Sequence, residues 1–284
     1  MGSESVGGVR DRVVVITGAS GGIGAALARL LGSRGARLVL AARRELELRA
    51  VAAQSGPQVE VIVADVRRRE DVRRVLDAAL ARFGQVDVWV NNAGRGITRL
   101  VTELSDEDFD EMMLVNVKSA LYGMQAVLPH FKALGRGHII NVSSVLGRVP
   151  YVPARSAYNA AKHALNAITG SLRVELRGHH AGILVSTVSP GVVATEFGLH
   201  ALGGGADSRQ FPFAQPAEEV AAVIAGLIER PQSDVYTRPN VREQVAAYFA
   251  AEDMGAVEGQ IFSGHGPART ASAPPTGSPA PPRS

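Results

Sequence analysis

Short runs of Val, Ile and Leu recur along the chain, separated by longer stretches in which apolar residues return every three or four positions. The runs lie near 12–18, 37–42, 59–65, 86–92, 137–144 and 183–190. Continuous apolar runs are typical of strands that are covered on both faces, as in a parallel sheet. The pattern therefore predicts six buried parallel strands.

The intervening stretches have the periodicity of amphipathic helices. The predicted helices span about 23–33, 45–54, 70–83, 105–131, 157–176 and 217–229. A short strand near 234–236 and one more helix follow. Alternation of strands and helices predicts an α/β fold, a Rossmann-type doubly wound parallel sheet in a single domain with helices on both faces.

The domain is predicted to span residues 11–262, after a flexible N-terminus over 1–10. Within it, the glycine-containing stretch 192–216 predicts a mobile loop that acts as a substrate lid. Residues 263–284 are predicted to form a disordered tail, because the segment from His265 onward has six prolines and no large apolar residue.

Composition excludes several classes of function. The chain has 284 residues and no cysteine, which rules out disulfides and thiolate chemistry, and its seven histidines show no ligand spacing, so we expect no metal site. A net charge of only +3, without a dense basic block, does not suggest nucleic-acid binding. No apolar run approaches the roughly 20 residues of a membrane span, and the start lacks the pattern of a signal peptide. We expect a cytoplasmic protein.

A glycine-rich loop, "TGASGGIG", joins the first strand to the first helix. Gly18, Gly22 and Gly24 would let the backbone approach a pyrophosphate, which the unpaired amides and the dipole of the helix then stabilise. Ser20 and Ile23 belong to the same loop and are expected to contact the cofactor. The alternative is a tight turn without a ligand.

The dinucleotide hypothesis predicts a specificity residue after the second strand. Arg43 and Arg44 stand there, with no acid, which favours the 2'-phosphate of NADP(H) over the free hydroxyl of NAD(H), although NAD(H) stays possible. The alternative is that both arginines only begin a solvated helix. Asp65 and Val66 follow the third strand, and Asp65 either binds the adenine amino group or caps the next segment.

The stretch "SAYNAAKHAL" contains one of only three lysines in the chain. Lys162 lies four residues after Tyr158, so a helix would place both on one face together with apolar side chains. An ammonium on an apolar face is costly to bury unless it is paired.

Six segments occur in an order that resembles the short-chain dehydrogenase/reductase family, over about Val13 to Phe197. They are "TGASGGIG", "NNAG" at 91–94, Asn116 in "LVNVKSALYG", "NVSS" at 141–144, Tyr158-x-x-x-Lys162, and "SPGVVATEF" at 189–197. The resemblance implies an NADP(H)-dependent oxidoreductase that interconverts a carbonyl and a primary or secondary alcohol. The alternative is a catalytically silent dinucleotide-binding regulator or scaffold.

By this resemblance, Tyr158 is the general acid/base that passes a proton to or from the substrate oxygen while hydride moves to or from nicotinamide. Bringing the pKa of a phenol from about 10 to about 7 takes roughly 4 kcal/mol. The Lys162 ammonium, which would also bind the nicotinamide ribose, and the positive oxidised cofactor could supply it. The alternative is an ordinary packing or surface pair.

The resemblance assigns two further catalytic residues. Ser144 would orient the substrate carbonyl, with Ser143 as the competing serine on the opposite face of the strand. Asn116 would kink the long helix and hold a water that connects Lys162 to solvent. The alternative for Asn116 is a local bond to backbone.

Two segments resemble the cofactor-lining parts of the family. They are Asn91, Asn92, Ala93 and Gly94 after the fourth strand, and Pro190, Gly191, Val193 and Thr195 after the sixth.

An apolar substrate pocket is predicted from two segments, which suggests a hydrophobic ketone, aldehyde or alcohol. Its candidate residues are Val149, Tyr151, Val152, Phe197, Leu199, Phe211 and Phe213. Packing in the core is the alternative for each. We expect a homodimer or homotetramer, because such assemblies are common among soluble proteins.

Overall fold

The computed structural model describes residues 8–263. Most of the predicted flexible N-terminus and nearly all of the predicted tail lie outside the described residues. Seven strands form the sheet: β1 Val13–Thr17, β2 Arg37–Ala42, β3 Val59–Val63, β4 Val88–Asn91, β5 Gly137–Val142, β6 Ile183–Ser189 and β7 Asp234–Tyr236.

All strand pairs are parallel, in the order β3-β2-β1-β4-β5-β6-β7. Side chains alternate between the two faces, and in the inner strands both faces are buried: Val14 and Ile16 pack into one core cluster, and Val15 packs into the other. The apolar runs arise from this double coverage. The edge strand β3, also predicted to be buried, is only partly buried. The predicted Rossmann-type α/β fold is confirmed.

Helices cover both faces of the sheet. The elements are α1 Gly22–Ser33, α2 Glu45–Ala53, α3 Arg69–Phe83, α4 Asp106–Met113, α5 Ser119–Leu134, α6 Ser156–Arg177, α7 Ala217–Glu229, α8 Val241–Ala250 and α9 Met254–Ser263. Side chains of α1, α2 and α7 pack on one face, and those of α3, α5 and α6 pack on the other. Among the helices of residues 8–263, none is long and apolar enough to cross a membrane.

The predicted helix over 105–131 is interrupted in the middle. A π-helical segment, Leu114–Lys118, separates α4 from α5. Within it, Asn116 Nδ2 donates to Met112 O at 3.1 Å and to Arg95 O at 2.9 Å. Asn116 thereby attaches the loop after β4 to the π-helical segment. Such single π-helical turns within α-helices occur frequently at functional sites.

Strand order reverses between β1 and β4, because β2 and β3 lie to one side of β1 and the later strands lie to the other. Open α/β sheets bind ligands at such a switch point, outside the carboxyl ends of the strands. The loops after β1, β2, β4, β5 and β6 all leave from this edge. The fold therefore brings the segments that the sequence analysis identified together at the carboxyl ends of the strands.

Candidate active site

Tyr158 and Lys162 lie one turn apart in α6, and both side chains are buried. Lys162 Nζ lies 5.6 Å from the centre of the Tyr158 ring and donates to Val142 O, at the end of β5, at 2.9 Å. One bond to backbone leaves donors of the ammonium for other partners. The Lys162 ammonium thus lies at the carboxyl end of β5, although its side chain leaves an apolar face of α6.

Burial raises the pKa of Tyr158 to about 12, because the phenolate would lose its hydration. A hydrogen bond with Ser144 and the charge of Arg155 act in the opposite direction. Burial also lowers the pKa of Lys162 to about 8. The groups of the chain itself thus hold the phenol protonated at neutral pH. The lowering of the Tyr158 pKa expected from sequence relies on the oxidised cofactor as well as on Lys162.

The structure distinguishes the two serines after β5. Ser144 hydrogen-bonds with Tyr158, and its Oγ accepts from Leu146 N at 3.1 Å. Ser143 Oγ instead donates to Lys162 O at 3.5 Å, away from the reactive end of either side chain. Ser144 is therefore the serine that can share a substrate oxygen with Tyr158.

Asn116 is buried beside the same group of side chains. A Cβ at Gly94 would lie 2.9 Å from Asn116 Oδ1 and 3.6 Å from Lys162 Nζ. Asn116 Oδ1 also accepts from Arg95 N at 3.2 Å. Because Gly94 has no side chain, Asn116 and Lys162 can both approach the loop after β4 closely.

The glycine loop has the backbone of an anion cradle. Gly18 and Gly22 have φ values of +67° and +53°, a backbone conformation that residues with a side chain rarely adopt. Helix α1 begins after Gly21 without a side-chain cap and without an acid in its first turn. Its first amides are free to bind a negative group, so the loop fits a dinucleotide pyrophosphate.

The Asn92 side chain is hydrogen-bonded to the backbone of the glycine loop. Its Nδ2 donates to Thr17 O at 2.9 Å and to Gly18 O at 3.2 Å. A Cβ at Gly24 would lie 2.6 Å from the same Nδ2, and a Cβ at Gly18 would lie 2.8 Å from Ala93 Cα. The segment after β4 and the glycine loop are thus packed without room for larger residues.

Arg43 and Arg44 differ in their surroundings. Arg44 Nε donates to Ser20 Oγ at 3.2 Å, and its guanidinium lies 3.7 Å from Glu47 and 3.9 Å from Glu196. Arg43 is exposed at the end of β2, and its charge helps to lower the pKa of Asp65. Arg43 is therefore the freer of the two cations for a phosphate.

Asp65 is bound by a neighbouring arginine. Arg67 Nη2 donates to Asp65 Oδ2 at 2.6 Å, and Arg67 also lies 3.1 Å from Glu111. Although burial favours the neutral carboxyl, hydrogen bonds from Arg67 lower the pKa of Asp65. Its remaining acceptor capacity is available to an adenine, while Val66 is buried beside it.

The segment after β6 crosses above the glycine loop. A Cβ at Gly22 would lie 3.2 Å from Thr195 Cγ2, whereas Gly191 faces open space. Pro190 O accepts from Val145 N at 2.9 Å, and Val193 pairs with Gln215 in an isolated bridge. The same segment therefore borders Ser144 at one end and α1 at the other.

The predicted lid lies against the site through one aromatic contact. Phe197 packs edge-on against Tyr158, with ring centres 5.7 Å apart. Leu202 pairs with Ile97 through backbone bonds of 2.8 and 2.9 Å. The lid is thus hydrogen-bonded to the segment after β4.

The proposed pocket residues fall into separate groups. Val149 is buried in a cluster with Val245 and Tyr248 of α8, and Tyr151 packs edge-on against Tyr248. Phe211 and Phe213 stack on each other with ring centres 5.3 Å apart. The remaining pocket candidates, Val152 and Leu199, are exposed. Val149 therefore belongs to the packing against α8, and Phe197 is the pocket candidate that touches Tyr158.

Sequence reasoning missed Arg155, which directly precedes α6. Its charge acts on Tyr158, and its Nη1 donates to Ile97 O at 3.0 Å. The signal was present as an arginine three residues before the tyrosine. Across residues 8–263, no group of three or more His, Asp or Glu side chains is arranged to hold a metal ion.

Comparison with known proteins places residues 12–201 in the family model described as short chain dehydrogenase. An uncharacterized oxidoreductase of Staphylococcus epidermidis is 40% identical over 187 residues, which cover 66% of this chain and 80% of that protein. An uncharacterized oxidoreductase of Bacillus subtilis is 35% identical over 234 residues, 80% of this chain and 65% of that protein.

Solved structures of the same kind superpose on most of the chain. A short-chain dehydrogenase/reductase of Burkholderia phymatum in complex with NAD has a TM-score of 0.77 and 26% identity, covering 94% of this chain and 99% of that one. An alcohol dehydrogenase of the archaeon Thermococcus sibiricus complexed with 5-hydroxy-NADP has a TM-score of 0.69 and 30% identity, covering 80% of this chain and 96% of that one.

Proposed function

Because the chain belongs to the short-chain dehydrogenase family of oxidoreductases, we propose that it interconverts a carbonyl and an alcohol with NADP(H), using Tyr158 as general acid/base. The observation that carries this proposal is the convergence of Tyr158, Ser144 and Lys162 at one edge of the sheet. Asn116 completes the group from the π-helical segment. These are the residues that a proton transfer to a substrate oxygen requires.

In carbonyl reduction, Tyr158 gives its proton to the substrate oxygen. Because burial raises the pKa of the phenol to about 12, the proton is present at neutral pH. Ser144, hydrogen-bonded with Tyr158, orients the same oxygen and stabilises the charge that develops on it. The Lys162 ammonium faces the ring and favours the tyrosinate as it forms.

The residues present fit a dinucleotide at the switch point. Gly18, Gly22 and the first turn of α1 would hold the pyrophosphate, with Ser20, Ile23 and Gly24 in the same loop. Asp65 and Val66 would border the adenine, and residues of the segments after β4 and β6 would line the remainder. Those residues are Asn92, Ala93, Gly94, Pro190, Gly191, Val193 and Thr195. Asn91, expected from sequence among them, instead bonds to Trp89 and Asn141 within the sheet. When bound, the cofactor supplies or accepts the hydride.

The preference for NADP(H) rests on Arg43. Its side chain is exposed directly after β2, its charge acts on Asp65, and the two positions that follow the strand hold arginines rather than an acid that would bind a free 2'-hydroxyl. The Thermococcus sibiricus enzyme has an NADP derivative bound, while the Burkholderia phymatum protein has NAD. Both kinds of cofactor thus occur bound to similar folds, so the fold alone does not decide between them.

The experiment is a turnover screen in which ketones and aldehydes are offered with NADPH and secondary alcohols with NADP⁺, and the change in NADPH absorbance is measured. Wild type is expected to turn over at least one class, and Tyr158→Phe to reduce that rate about 10²- to 10⁴-fold, because it removes the acid but keeps the ring. Calorimetric binding of NADPH to both proteins serves as control. Equal, measurable rates in both proteins would contradict the role of Tyr158. NADPH binding without turnover of any substrate by wild type would contradict the proposed activity and favour the silent regulator.

A further inference from the structure

Arg155 lies on the wall of the candidate active site. It directly precedes α6, and its backbone carbonyl accepts the bond from Asn159 N at 2.8 Å that begins the helix. Its Nη1 donates to Ile97 O at 3.0 Å. Its charge interacts with the phenol of Tyr158, in the first turn of the same helix.

The guanidinium lies where the lid meets the segment after β4. A Cβ at Gly96 would come 3.0 Å from Arg155 Nη1 and 2.9 Å from Phe197 Cε1. A Cβ at Gly205 would lie 3.4 Å from Arg155 Nη2. Phe197 itself packs against Tyr158. Arg155 and Phe197 therefore meet at Gly96, and the Phe197 ring extends from there to Tyr158.

Arg155 differs from the nearby arginines because it has no acidic partner within ion-pair distance among residues 8–263. The neighbours are paired: Arg95 with Glu111 at 3.6 Å, Arg99 with Asp108 at 3.5 Å, and Arg209 with Asp207 at 2.8 Å. Burial lowers the pKa of the Arg155 guanidinium, since the charge has lost part of its hydration. A partly buried cation without a counterion is unfavourable, and an anionic ligand would relieve it.

We propose that Arg155 binds a carboxylate on the substrate, which makes oxo acids and the corresponding hydroxy acids the substrate class of this enzyme. The proposal rests on the proposed function, because it places the anionic group beside the carbonyl that Tyr158 protonates. The planar guanidinium matches a carboxylate in geometry. Phe197 would cover the carbon chain between the two polar ends.

The test uses matched pairs of oxo acids and their methyl esters, assayed with NADPH. Wild type is expected to prefer the acids. Arg155→Gln should lower kcat/KM for the acids about 10- to 100-fold more than for the esters, mainly through KM, while a change in kcat shared by both classes would report the interaction of Arg155 with Tyr158. Arg155→Lys should retain part of the preference, and the control Arg99→Gln should retain all of it. Calorimetric NADPH binding checks that each variant is folded.

Equal losses on acids and esters in Arg155→Gln would overturn the proposal, because they would mean that Arg155 only holds Ile97 and the lid. Equal use of acids and esters by wild type would overturn it as well. Whether wild type turns over acids or esters at all tests only the proposed oxidoreductase function, and it does not test the carboxylate site at Arg155. If neither is reduced, titration of each acid and ester into NADPH-loaded protein still decides: tighter binding of acids, lost in Arg155→Gln, supports the carboxylate site, and equal binding contradicts it.

Discussion

Lys162 is a buried cation whose neighbours define its role. Its bond to Val142 O fixes the ammonium at the end of β5, 5.6 Å from the centre of the Tyr158 ring. The tyrosine–lysine spacing is readable from sequence because four residues make about one helical turn. The direction in which the pKa of Tyr158 shifts cannot be read from sequence, since it depends on how far the folded chain buries the phenol.

Activity should depend on the charge of Lys162. Burial lowers its pKa to about 8, so the cation is present below that value and is lost as the pH rises through it. Because the proposed role of this cation is to stabilise the forming tyrosinate, kcat for carbonyl reduction should fall above pH about 8. A pH–rate profile checks this, with Lys162→Met as control. A wild-type rate that stays level to pH about 10, with this control slow throughout, would contradict the assigned role.

Arg43 is the second residue with a measurable role. Its exposed guanidinium should bind the 2'-phosphate, and a charged hydrogen bond contributes about 1.5–3 kcal/mol, or roughly 10- to 100-fold in affinity. Arg43→Ala should therefore weaken NADPH binding by that factor and leave NADH binding nearly unchanged. Dissociation constants from calorimetry check this. An unchanged ratio of the two constants would refute the phosphate contact.

Among the elements, α5 is positioned by a close approach to the sheet. Gly123 faces a buried polar network in which Trp89 Nε1 donates to Asn91 Oδ1 at 2.8 Å, and Asn91 Nδ2 donates to Asn141 Oδ1 at 2.8 Å. A Cβ at Gly123 would overlap Asn91 Oδ1 and lie 2.5 Å from Trp89 Nε1. This network joins the carboxyl ends of β4 and β5, from which the loops of the site leave.

Gly123→Ala should destabilise the fold. Overpacking typically costs about 1–3 kcal/mol, and broken buried hydrogen bonds add to that cost. Gly170→Ala in α6 is the matched control, because nothing lies within 4 Å of its added Cβ, and it should be neutral or stabilise by up to about 1 kcal/mol. Urea unfolding measures both. Equal free energies of unfolding for the two variants would show that the contact at Gly123 is not tight.

For the molecule as a whole, the sequence predicted the sheet well because both faces are buried. The runs at 37–42 and 234–236 coincide with β2 and β7, and the other strands differ from their predictions by a few residues at their ends. The π-helical segment was not predicted, because it depends on Asn116 meeting the loop after β4. The position of Arg155 beside Phe197 was also not predicted, because it depends on the path of the lid.

Binding of the cofactor should stabilise the whole molecule. A ligand at 100 times its Kd adds about 2.7 kcal/mol to the free energy of unfolding, which for a chain of this size raises Tm by roughly 5–10 °C. NADPH should raise Tm more than NADH at the same concentration, because the contact proposed for Arg43 is with the 2'-phosphate, which NADH lacks. Differential scanning fluorimetry checks this. An equal shift with both cofactors would contradict the preference.

The most direct test is the rate of a single turnover in protein loaded with NADPH at pH 7, with a carbonyl that wild type reduces. If Tyr158 supplies the proton, Tyr158→Phe should slow the loss of NADPH absorbance about 10²- to 10⁴-fold while the dissociation constant for NADPH stays the same. A Tyr158→Phe protein that oxidises NADPH at the wild-type rate would contradict the account.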